Sequence, residues 1–148
     1  MIYISINAKL EKLEEFKGYL RDYQKHTLEE IRSNHTLYGA LLHFLQLTIE
    51  CMMDIGEIII SESKLRKPQE GKEIFMILAE NKILPLDCAN KVASLPNLCN
   101  LIVHEYAEVD LKKVYAHLQN DLGDCDFYAK CITEFLEKRN FLGESGAH

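Results

Sequence analysis

The sequence predicts an all-α protein, an antiparallel bundle of four to five helices, on three observations. Apolar residues recur at the helical period along nearly the whole chain, and no segment makes a convincing strand. Segment ends carry helix punctuation, with Asn, Thr and Asp at capping positions and prolines at 68, 85 and 96. The chain has 148 residues, 47% hydrophobic and 27% charged, which fits one domain with its own core, so residues 1–148 are expected to form a single unit with a frayed tail from about 143.

The elements follow in order. After an ambiguous "MIYISI", Leu10, Leu13, Phe16, Leu20 and Tyr23 form one stripe, with Asn7 as its expected cap. Thr27 and Glu30 have the spacing of a capping box opening a short turn. A long helix is predicted from about Asn34 to Ser61. Leu37, Leu41, Phe44, Thr48, Met52, Ile55 and Ile59 fall on one face, and Leu42, Leu45, Ile49 and Ile60 on the next. So wide an apolar surface makes it the central helix, and a small bundle hides both faces most economically against a second copy, so a homodimer is expected. "KLRKPQEGKE" reads as a loop, and short helices are expected near Glu70 to Asn81 and Leu86 to Leu95, with Pro96 as a break. Asp110 then caps one long final helix, on which Leu111, Val114, Leu118, Leu122, Cys125, Ala129, Ile132 and Leu136 recur.

Composition excludes several functions. A net charge of −6, with no Lys/Arg run longer than two, lacks the broad basic footprint of a polyanion binder, so nucleic acid would have to be gripped locally. The five cysteines, at 51, 88, 99, 125 and 131, form neither a CxxC nor a zinc-type ligand run and read as reduced thiols of a cytoplasmic protein. No apolar run approaches the roughly 18 residues of a membrane span, so no membrane association is expected. His43, Glu50, Asp54 and Glu57 lie near one edge of the long helix. Without a Glu-x-x-His pair they read as its solvated edge, and no metal is expected. GxSxG and glycine-rich phosphate loops are absent, and no cofactor is expected.

One stretch carries candidate chemistry: "NLCNLIVHEYAEVD", residues 97–110. On a helix Asn100 and His104 are i, i+4 neighbours, while Leu98, Leu101 and Ile102 define the buried side, so His104 is expected at the border of core and solvent. Spacing alone does not separate this histidine from one satisfied within the packing.

The segment "LCNLIVHEYAEVD" resembles the signature of HEPN domains of the HepT type, Arg-Asn-x-Leu-Val-His-x-Tyr followed by a capping Asp. "LYGALLHFLQLTIECMMDIGEIII" is similar to that family's long second helix, "KPQEGKEIFMILAENKILP" to the segment after it, and with "VDLKKVYAHLQNDLGD" the likeness spans roughly residues 8 to 137. The resemblance implies an antiparallel helical bundle that dimerises, with each motif facing a shared cleft. It implies a metal-independent endoribonuclease toxin of a type VII-like toxin–antitoxin system, paired with an MntA-like nucleotidyltransferase antitoxin. Residue by residue it implies that His104 is the catalytic histidine, Asn100 the polar residue after the arginine, and Tyr106 the tyrosine that the partner enzyme can modify with AMP.

The departure is Cys99, which stands where the family carries its catalytic arginine. Such an arginine holds the scissile phosphate and stabilises the charge that builds on it; a thiol is a weak neutral donor with no bidentate fork. Positions 97 and 98 are Asn and Leu, so no arginine is displaced nearby, although Arg66 or Arg139 could enter a dimer cleft. Losing such a donor costs on the order of 10² to 10³ in rate, so RNA cleavage is expected to be reduced. Three readings follow: a HepT-like RNase toxin, an RNase-inactive HEPN dimerisation and binding module that keeps its nucleotidyltransferase contact, and a helical protein with no site.

Overall fold

The order of apolar stripes and caps produces eight helical segments among the described residues: α1 (Ile2–Tyr23), α2 (Leu28–Arg32), α3 (His35–Glu62), α4 (Gly71–Glu80), α5 (Leu86–Val92), α6 (Leu95–His104), α7 (Leu111–Asn120) and α8 (Leu122–Gly146). The structure, a computed structural model, describes residues 2–105 and 108–146, with side chains over 5–105 and 108–139. The count exceeds the expected four to five because caps and prolines cut the shorter stretches into separate turns, while the all-α class holds.

Helix α3 is the axis. Asn34 caps it by accepting the Leu37 N–H at 3.1 Å, and Leu41, Leu42, Leu45, Ile49, Met52, Ile55, Ile59 and Ile60 are all buried, so both of its predicted faces are used. It packs against α1, α2, α4 and α6, while α8 closes the other side against α1, α5 and α7. Two contacts fix how closely these helices approach. Tyr128 of α8 is wholly buried, donates its hydroxyl to the Met52 carbonyl at 2.8 Å, and meets the Phe75 ring edge-on at 5.4 Å. Gly56 of α3 lies against Ile74 of α4, with no room for a Cβ between them.

Several boundaries differ from expectation. Asn7 is not a cap but an exposed residue inside α1, because Ile6 is buried and continues the stripe toward the N-terminus. The capping box at Thr27 holds: its Oγ1 accepts the Glu30 N–H at 3.1 Å. Pro96 does not break the chain; it sits in the first turn of α6, where a missing N–H costs nothing. Asp110 caps α7 by accepting the Lys112 N–H at 3.0 Å, but the long final helix is two helices. They divide at Asp121, which bonds back to His117 and heads the first turn of α8, within the poor helix formers of "QNDLGD". The backbone of α8 is helical through Gly146.

Candidate functional site

The site is built on α6 and the turn after it. Close packing at the start of α6 sets its position: a Cβ on Gly71 would lie 2.8 Å from the Cβ of Pro96, so the glycine lets α6 rest directly on the first turn of α4. Leu95, Leu98, Cys99 and Ile102 are buried, which roots the helix on α3 and α4. At the other end the Glu105 N–H donates to the Leu101 carbonyl at 2.9 Å and the Glu108 N–H to the Glu105 carbonyl at 2.8 Å, turning the chain toward the Asp110 cap.

His104 is the last residue of α6. It and Asn100, one turn earlier, are both exposed on the helix face opposite the core, rather than at its border. Leu101 was expected on the buried side, yet it is 40% exposed, and Val103 is 46% exposed. Two large apolar side chains therefore flank His104 in solvent, because the stripe rooted in the core is 95, 98, 99 and 102. Tyr106 lies outside the described residues.

Cys99 is on the inward face, 6% exposed, and burial, with the Glu50 carboxylate adding to it, pushes its thiol up to about 11. At neutral pH it is an uncharged group in the wall between α6 and α3, and it supplies no positive charge. Glu50 is half-buried on α3 and accepts the Gln46 amide at 3.0 Å. Sequence reasoning placed it on a solvated edge with Asp54 and Glu57; the structure turns it toward α6 and leaves the other two in solvent, Asp54 paired with Lys9 at 3.4 Å. The signal was available in the spacing, since Glu50 lies one turn from Gln46 beside the buried Ile49 and Cys51. Among the described residues no group of three or more His, Cys, Asp or Glu side chains is arranged to hold a metal ion.

The two arginines named as substitutes are engaged elsewhere in the subunit. Arg66 is forked by Glu80 at 2.8 and 3.1 Å and bonded to Glu73 at 3.0 Å, while Arg139 donates to Ser63 Oγ at 2.7 Å. A cavity of about 380 Å³ does open beside α6, lined by Asn97, Leu101 and Glu105 and, from the turn and α7, by Asp110, Lys113 and His117. Lys113, which sequence reasoning missed, makes no ion pair among the described residues. No helix among the described residues is long and apolar enough to cross a membrane.

Comparison with known proteins gives a consistent result. A tRNA nuclease HepT of Aphanizomenon flos-aquae (strain 2012/KM1/D3) is 26% identical over 133 residues, covering 90% of both chains. An mRNA nuclease HepT of Shewanella oneidensis is 26% identical over 103 residues, covering 70% of this chain and 77% of the relative. Among solved structures, a tri-AMPylated Shewanella oneidensis HEPN toxin in complex with MNT antitoxin superposes with a TM-score of 0.79 at 22% identity, over 87% of this chain and 96% of that one. YutE, a cytosolic protein of unknown function from Bacillus subtilis, superposes with a TM-score of 0.69 at 22% identity, over 87% and 91%. The family described as ribonuclease HepT-like matches residues 6–138, which takes in every helix that positions the site, and the chain belongs to the HepT-like family.

Proposed function

We propose that this chain is the toxin component of a type VII-like toxin–antitoxin system, a metal-independent endoribonuclease whose activity is lowered by the cysteine at position 99. The observation that carries this reading is the surface at the end of α6, where His104 and Asn100 stand exposed between the exposed Leu101 and Val103 in a chain of the HepT-like family. An accessible imidazole can take the proton from an RNA 2′-hydroxyl as its oxygen attacks the adjacent phosphorus. Asn100, exposed one helical turn before His104, would orient that ring or the phosphate. The charge gathering on the phosphoryl oxygens meets no fixed cation from position 99, and this is the reason for weak activity.

Leu101 and Val103 are suited to burial against a second copy, and a homodimer would bring two such ends to one cleft. In the solved relatives the toxin is bound to an MNT or MntA antitoxin. An MntA-like nucleotidyltransferase is accordingly proposed as the partner, and Tyr106, two residues beyond His104, as the residue it modifies with AMP, in the cytoplasm.

The buried neutral Cys99 and the occupied Arg66 and Arg139 favour a second reading, an RNase-inactive HEPN dimerisation and binding module that retains the nucleotidyltransferase contact. Induced expression in a bacterial host separates the two. The toxin reading expects growth to slow with the wild-type chain and not with His104→Ala, and co-expressed nucleotidyltransferase to restore growth while adding AMP mass that Tyr106→Phe abolishes. Normal growth together with stable capture of the nucleotidyltransferase would establish the binding module instead.

A further inference from the structure

The described chain has two residues other than glycine in the left-handed backbone region, and both are lysines: Lys64 at φ 56° and Lys82 at φ 60°. Each follows a helix end, α3 and α4, whose turn closes as a glycine-type C-cap does, with Leu65 N–H bonded to the Ile60 carbonyl at 3.0 Å and Ile83 N–H to the Leu78 carbonyl at 2.9 Å. Glycine fits such positions without strain and lysine does not, and backbone strain of this kind tends to persist where a side chain serves a site.

The two lysines line adjoining depressions that share part of their walls. One, of about 600 Å³, is lined by Lys64, Lys138 and Arg139, and the other, of about 520 Å³, by Lys82, Lys138 and Phe127; Ile83, Phe135 and Lys138 are common to both. Nine of the 17 lysines and arginines are ion-paired within the described residues, and four of the remaining eight are these: Lys64, Lys82, Lys138 and Arg139. Among the described residues, two carboxylates, Glu62 and Glu134, line the same surface. On a chain of net charge −6 this is a local concentration of positive charge that the described carboxylates do not pair.

Aromatic faces lie among the cations. Phe127 is 44% exposed, and Phe135 is partly buried beneath Arg139, whose guanidinium carbon is 5.9 Å from the ring centroid. Cations that track a phosphate backbone, interleaved with rings on which bases stack, form the platform that takes single-stranded nucleic acid. A rigid duplex would have no use for the rings.

We propose that the surface formed by the ends of α3 and α4 and the middle of α8 is a single-stranded RNA docking site, with Lys64, Lys82, Lys138 and Arg139 on phosphates and Phe127 under a base. It lies apart from the α6 motif and deepens the ribonuclease reading by giving the substrate a second hold. The dependence on that reading is limited to the identity of the ligand.

The test uses the full chain and a fluorescent 15-residue 2′-O-methyl oligouridine, which cannot be cut, so binding is measured apart from cleavage. Anisotropy titrations over a salt series should give a steep salt dependence. Replacing all four cations by glutamine should lower the slope of log K against log salt by about 2 to 3, at roughly 0.7 per phosphate contact. Phe127→Ala should weaken binding roughly tenfold or more. Lys64→Gly with Lys82→Gly supplies the second readout: thermal stability should hold or rise as strain is relieved, while affinity falls. Lys12→Gln with Lys91→Gln, on other faces, should leave both unchanged.

Unchanged affinity and slope in the folded four-cation variant would overturn the proposal, as would failure of the wild-type chain to bind the oligonucleotide at low salt. Either result would leave cleavage at His104 to be judged by its own assay. Loss of nucleotidyltransferase capture in the same variant, with RNA binding intact, would make this a protein-docking face and would also overturn the proposal.

Discussion

Restoring an arginine at position 99 probes how far the α6 surface is from a fully equipped phosphate-cleaving site. Cys99 is 6% exposed in the wall between α6 and α3, so Cys99→Arg must thread a long side chain past packed neighbours toward the Glu50 carboxylate and solvent. Overpacking of this kind costs about 1–3 kcal/mol, or roughly 3–12 °C in Tm for a chain of this size, with pairing to the half-buried Glu50 offsetting part of it. The gain should be larger. A donor restored to the phosphoryl oxygens raises the cleavage rate about 10²- to 10³-fold, equivalent to about 2.7–4 kcal/mol of transition-state stabilisation. Positions 99 and 104 lie about 140° apart around an ideal helix, so the two side chains meet at one phosphate only through a shared cleft, and the gain should require the dimer. The assay is single-turnover cleavage of a labelled RNA in EDTA by wild type, Cys99→Arg, and Cys99→Arg with His104→Ala. A folded, dimeric Cys99→Arg protein that cleaves no faster than wild type would refute the reasoning, as would a gain that survives loss of His104.

Other perturbations bear on separate parts of the structure. Gly56→Ala should destabilise by about 1–2 kcal/mol, because the clash with Ile74 outweighs the helix propensity of alanine, and should lower Tm by roughly 3–6 °C in calorimetry. The five cysteines are buried and free, with Cys51, Cys88 and Cys99 pushed up to about 11 and Cys125 to about 12 by burial. A disulfide reagent at pH 8 should therefore titrate them slowly in the native protein and all at once in guanidinium, and rapid native labelling of Cys99 would contradict its placement. Burial acts to raise the Asp126 carboxyl, but the hydrogen bonds from Lys17 and Arg21 outweigh it and hold it below its ordinary value. Its contribution to stability is accordingly present above about pH 4 and lost as pH falls through the lower folded value, so a plot of urea midpoint against pH should drop below about pH 4 and flatten in Asp126→Asn. Light scattering at micromolar concentration should give a dimer, and Leu101→Glu with Val103→Glu should give a monomer.

The sequence showed most of what periodicity governs. The stripe on α3, the capping box at Thr27 and the cap at Asp110 were legible because each is local, decided within a turn or two of helix. Pro96 was misread as a break because a proline at the start of a helix and one after its end look alike until the flanking packing is known. Lys17 shows the limit of composition. Within "LEEFKGYLR" it looks solvated, yet it is 1% exposed and bonded to Asp126 at 2.8 Å; its place four residues after Leu13 and three before Leu20 was the overlooked clue. At the site, the i, i+4 relation of Asn100 and His104 could be read, but the exposure of Leu101 and the inward face of Cys99 could not. They depend on where α3 and α4 meet α6, which is a tertiary fact. The depression at the ends of α3, α4 and α8 joins residues more than seventy positions apart and had no local signature.

The most direct measurement is the rate of RNA cleavage in EDTA by the purified wild-type chain, set against His104→Ala prepared in parallel and matched for fold. Slow, metal-independent cleavage by wild type that falls to the buffer rate in the variant is the expected result if the exposed imidazole at the end of α6 carries the proton transfer. Equal rates in the two proteins, or cleavage that appears only with a divalent metal, would contradict it.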